Sequence, residues 1–75
     1  SFLDINYSVL RFQLLAFDAL GNALPESSQG ANFSDRQIRL IQNTPHGRRL
    51  FITDIIARGP DGVERRLPSL ELVIA

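Results

Sequence analysis

"RRLFITDIIARGPDGVERRL", residues 48–67, decides the fold. Leu50 and Ile52 alternate onto one face of a strand, and Ile55 and Ala57 continue that face one position out of step, so the spacing predicts a bulge at Thr53 and Asp54. The following "GPDG", residues 59–62, is turn chemistry. Pro60 presets φ, Asp61 caps the turn locally, and Gly62 can take the left-handed position that closes a type I turn with a bulge. That turn sets a register with Gly59 opposite Val63, Arg58 opposite Glu64 and Ile55 opposite Leu67. An ion pair then falls on the outer face and an aliphatic pair on the inner one, as an antiparallel hairpin requires.

Working outward, Pro68 interrupts the pattern and "LELVIA" reads as a closing strand, with Leu70, Leu72 and Ile74 on one side and Glu71 and Val73 on the other. Upstream, "FSDRQIRLIQ" carries the marks of a helix of about nine residues. Ser34 is the N-cap, Gln37 can reach back to its amide as in a capping box, and Phe33 can staple to Ile38. Ile38 and Ile41, flanked by Leu40, form the stripe expected to face a sheet, with Arg36, Arg39 and Gln42 off it. Asn43, Thr44 and Pro45 end the helix and Gly47 permits the reversal into the next strand. His46, the only histidine, sits in that corner, where backbone geometry alone accounts for its neighbours.

The first part of the chain, from about Ile5 to Phe17, is rich in β-branched and aromatic residues and reads as a long strand. Val9 and Phe12 are three apart whereas Phe12, Leu14 and Ala16 keep period two, which predicts a bulge near Leu10 and Arg11. Gly21 and Asn22 turn the chain into a short return strand, about Ala23–Ser27. Pro25 cannot donate to a ladder, so this strand belongs at a sheet edge. The order is β-β-α-β-β-β, an α+β fold with a small, mostly antiparallel sheet or sandwich and one short helix.

Composition narrows function. The 75 residues hold eight arginines, no lysine, eight acids and no cysteine. Balanced charge lacks the footprint needed for a phosphate backbone, so no nucleic-acid partner is expected. No thiolate zinc site, disulfide or cysteine nucleophile can form, and no run approaches the roughly 20 apolar residues that cross a bilayer. No membrane insertion by this segment is expected. The absence of methionine even at position 1 suggests one domain, residues 1–75, from a longer chain. A domain this short buries only about 60% of its unfolded surface, so support from neighbours would be natural.

Ser, His46 and Asp54 supply the residue types of an acyl-transfer triad, but no "GxSxG" elbow accompanies them, and Asp54 and Glu71 would need a cleft to act as paired carboxylates. No metal spacing or phosphate loop occurs. No catalytic residue, cofactor or metal is therefore assigned, and a small hydrolase or enzyme accessory domain centred on His46 stands only as the minor alternative. The candidate protein-contact residues are Arg48, Arg49, Arg65 and Arg66, which could gather if their strands are neighbours, together with Ile56 and Val73, which lie off the core faces. Phe2 and Leu3 add apolar surface at the start of the chain. Apolar residues on both faces of a small sheet call for a cover: a second domain, a second subunit or a partner.

The stretch "NFSDRQIRLIQNTPHGRRLFITDIIARGPDGVERRLPSLELVI" resembles the C-terminal domain of the gliding-motility protein GldM, called PorM in some species, of the type IX secretion apparatus. The likeness is carried by "FS" before the helix, a glycine after it, "LFITDIIARGPDG" and the closing "RLPSLELVI", with "ALPESS" and the first strand fitting more loosely. The resemblance implies a β-rich, non-catalytic interaction domain in the periplasm, part of an elongated homodimer held in the inner membrane by a helix elsewhere. It further implies contact with outer-membrane-associated components of the protein-transport machine. The same domain as an appendage of another envelope protein is the alternative within this class.

Overall fold

The computed structural model describes residues 7–75, and the expectations placed on Phe2, Leu3 and Ile5 lie outside them. Five strands and one helix follow in the order β1 (Ser8–Phe17), β2 (Ala23–Gln29), α1 (Asp35–Gln42), β3 (Arg49–Arg58), β4 (Glu64–Leu67) and β5 (Leu70–Val73). The strands form one antiparallel sheet ordered β2-β1-β3-β4, with β5 also paired to β3. β3 is the spine. One of its edges carries β1, and the other is shared end to end by β5, opposite Arg49–Ile52, and β4, opposite Ile55–Arg58. Pro68 and Ser69 divide those two short strands opposite Thr53 and Asp54, where a proline has no amide hydrogen to offer a ladder.

Both predicted bulges are present, and they compensate each other. Val9 pairs with Ala57 and Arg11 with the adjacent Ile56, which leaves Leu10 over. Arg11 pairs with Ile56 and Gln13 with Thr53, so Asp54 and Ile55 together face Phe12. Each insertion shifts the pairing by one, in opposite strands, and the original register returns at Gln13. Asp54 has φ of 51°. Aspartate tolerates this left-handed conformation better than the β-branched residues around it would. The hairpin forms as its turn chemistry dictates: the Gly62 amide donates to the Gly59 carbonyl, the Gly59 amide donates to Val63, and Gly62 has φ of 78°. Ile55 stands opposite Leu67 and Arg58 opposite Glu64.

The helix begins at the expected capping box, with the Gln37 amide donating to Ser34 Oγ and the Ser34 amide donating to Gln37 Oε1. Its inward face differs from the expected one. Leu40 and Ile41 pack on the core formed by Leu14, Ala16 and Leu50, but Ile38 is 40% exposed and Gln37 is fully buried. The reason is a second role for the capping glutamine: its Nε2 donates to the carbonyl of Glu26 at 2.8 Å, fastening the helix to edge strand β2. Phe33 sets its ring edge against Phe12, with centroids 5.6 Å apart, at the start of the helix. The helix thus covers one end of the inner sheet face, where Ile52, Leu72 and Ile74 complete the core.

Candidate protein-contact surface

β3 also decides where the candidate residues lie. Arg48 and Arg49 are at its start, whereas Arg65 and Arg66 sit on β4 beside its end, opposite Ala57 and Ile56. Seven residues of strand separate Arg49 from Ile56, about 23 Å at the usual rise. The four arginines therefore do not gather into one patch, because β4 and β5 follow one another along β3 rather than lying side by side. Ile56 and Val73 share the outer face but occupy opposite halves, Ile56 beside Arg66 and Val73 beside Arg49.

Most of these cations have partners inside the domain. Arg49 meets Glu71 at 3.1 Å, Arg66 meets Asp54 at 2.6 Å, and Arg65 grips both oxygens of Asp61 at 3.1 and 2.6 Å. The Arg65 guanidinium, followed by the Val63 amide, holds the Asp61 carboxyl down to about 2, and Asp61 in return raises Arg65. Because the Asp61 value is lower in the folded than in the unfolded chain, this contribution to stability is present above the ordinary carboxylate range and is lost as pH falls towards about 2. Replacing Arg65 by Met is expected to move the Asp61 titration back towards the ordinary range, followed by carboxyl carbon NMR. An unchanged titration would show that the turn amides, not the guanidinium, hold the proton off.

The acids and the histidine are as dispersed as the arginines. Asp54 lies at the bulge in the middle of the sheet, while His46 lies in the corner before β3, its Nδ1 donating to the Ala75 carbonyl. That contact extends a main-chain zipper in which the Gly47 amide donates to Ile74 and the Ile74 amide to Arg48. The corner is therefore stitched onto the residues after β5, which gives the histidine a structural task. Asp54 and Glu71 each face their own arginine and share no proton.

What the sheet does expose is an outer face divided into two halves. Arg11, Gln13, Ser27, Gln29, Asp54 and Arg66 fill one half. The other is mainly apolar, with the Arg49–Glu71 ion pair at its border: Ala23 pairs with Phe17 and Pro25 with Leu15, and Leu15 pairs on its far side with Phe51. Phe17 and Phe51 stand edge to face with centroids 6.2 Å apart, Phe17 is 41% exposed, and Val73, paired with Arg49 on the far side of β3, is 59% exposed. This aromatic pair was missed from sequence; its signal is that both residues fall on the off-beat of the core alternation Leu14, Ala16 and Leu50, Ile52. On the inner face, beyond the helix, a shallow apolar groove of about 240 Å³ runs between Val9, Phe12, Phe33, Ile55, Leu67 and Leu70. Exposed apolar surface on both faces suits contact with other macromolecules.

Among the described residues no helix is long and apolar enough to cross a membrane. No curated protein matches the chain. The family described as the GldM C-terminal domain matches residues 1–75, the whole chain, and the protein belongs to that family.

Proposed function

Taking membership in the GldM C-terminal domain family as the premise, we propose that the chain is a non-catalytic protein-contact domain of a secretion and gliding apparatus that spans the periplasm. The family is associated with gliding and secretion and with the periplasmic portion of an envelope protein. The observation that carries the contact role is the uncovered apolar half of the outer sheet face around Phe17, Phe51 and Val73. In a domain whose core is this small, such a surface favours a role completed by another chain. On this reading the full-length protein is a homodimer held in the inner membrane by a segment elsewhere, and this domain meets outer-membrane-associated components of the machine.

A photo-crosslinking amino acid placed at Val73, Leu70 or Ile38 of the full-length protein in its source cells tests the reading, since these exposed positions sample three sides of the domain. Adducts with outer-membrane-associated proteins of the secretion or motility machine are expected from at least one position. Their absence from all three, with the protein folded and in place, would overturn the contact role.

A further inference from the structure

At one end of the apolar half, the outer face turns into a concave corner of about 390 Å³ lined by Phe17, Thr44, Gly47, Arg48, Arg49 and Phe51. That volume is at the small end of the range for ligand sites, about 300–1,000 Å³. Its floor is the edge-to-face pair Phe17 and Phe51, and its rim carries two consecutive arginines. Arg49 engages Glu71 through Nε, and its side chain is still 68% exposed, so its terminal nitrogens are open to a second carboxylate. Asp18, on the neighbouring turn, spends its carboxylate on the amides of Leu20 and Asn22 and the side chain of Asn22. The carboxylates of Glu71 and Asp18 match the two arginines in number, but Arg48 itself makes no ion pair among the described residues, so a guanidinium without a carboxylate partner stands beside an aromatic floor.

We propose that this corner binds a segment of a partner protein in which an Asp or Glu lies next to an aromatic or large aliphatic side chain. The apolar side chain covers Phe17 and Phe51 while the carboxylate reaches Arg48 and the free nitrogens of Arg49. Guanidinium forks recognise carboxylates bidentately, and an apolar neighbour raises the strength of that pairing by excluding water. The half of the sheet bearing Arg66 and Asp54 offers only the largely buried Phe12 in place of an exposed aromatic pair, and its Arg66 is already held by Asp54, while the inner groove lacks the charge. The proposal rests on the protein-contact reading and names the side of the domain and the chemistry it takes.

The test is an amide and guanidinium NMR titration of the 75-residue chain with three decapeptides: alternating Asp and Phe, alternating Lys and Phe, and alternating Asp and Ser. The Asp-Phe peptide is expected to shift Phe17, Phe51 and the Nε–H groups of Arg48 and Arg49, with binding that weakens as salt rises. The other two should bind at least tenfold more weakly. R48Q/R49Q, which removes charge at exposed positions, should lose about tenfold in affinity with an otherwise unchanged spectrum. Equal binding of the Lys-Phe peptide, or shifts confined to the inner groove, would overturn the assignment. Shifts at the corner on concentrating the chain alone would give the surface to a second copy, and shifts there with phosphatidylglycerol vesicles alone would give it to a lipid; either replaces the proposal. If no peptide binds while crosslinks to outer-membrane-associated proteins persist, the corner is wrong and the contact role stands.

Discussion

Leu50→Ala is expected to remove about 3–4 kcal/mol of stability, roughly a quarter or more of the total for a domain of this size. Leu50 is 1% exposed, paired across the sheet with Leu72, and packed with Leu14 and Ala16 beneath Leu40 and Ile41. Truncation there loses the transfer free energy of the deleted groups and leaves a cavity that three surrounding elements cannot easily collapse into, a loss of about 2–5 kcal/mol in comparable sites. At roughly 0.05–0.15 kcal/mol per residue, a domain of this size has only about 4–11 kcal/mol in total. Urea denaturation followed by circular dichroism measures the effect. Leu20→Ala is the control: that side chain is 87% exposed and its loss should fall within about 0.5 kcal/mol. If both variants lost equal stability, the core would not be where the packing puts it.

The same region shows how far the sequence could be read. Local rules that act through the backbone transferred well: period-two alternation with a slip gave both bulges, and "GPDG" gave the hairpin register through Ile55 and Leu67. The end-to-end arrangement of β4 and β5 did not transfer, because it depends on which edge of β3 each strand chooses. Pro68 held the only hint, as a break between two strands that continue one line. The arginine patch failed with it. On the exposed outer face, Val73 is legible because it lies off the core side of its strand, whereas Phe17 and Phe51 become a pair only when β1 and β3 lie side by side. The apolar stripe also misplaced Ile38 on the inward face, because the capping role read for Gln37 gives no sign of its second partner, the Glu26 carbonyl.

That glutamine carries the second large effect. Gln37→Leu keeps the volume but strands two groups, the Ser34 amide and the Glu26 carbonyl, beneath the helix. With a fully buried unpaired group costing about 1–3 kcal/mol and these two only half-buried, a loss of about 1–3 kcal/mol is expected. Gln37→Glu separates the two roles. In an ordinary capping box glutamate serves as well as glutamine, since only an acceptor is required. Here the side chain is 0% exposed and must also donate to Glu26, so an ionised carboxylate would be buried against a carbonyl oxygen. The introduced acid is expected to have a folded-state pKa above its unfolded value of about 4.3. The folded state then binds more protons, so stability of this variant should fall as pH rises from about 4 to 7, while the parent chain shows no such added slope. Urea midpoints across that range decide the matter. A Gln37→Glu variant as stable as the parent at pH 7 would show that the helix is held by its capping box and its leucine and isoleucine contacts alone, with no need of the bond to β2.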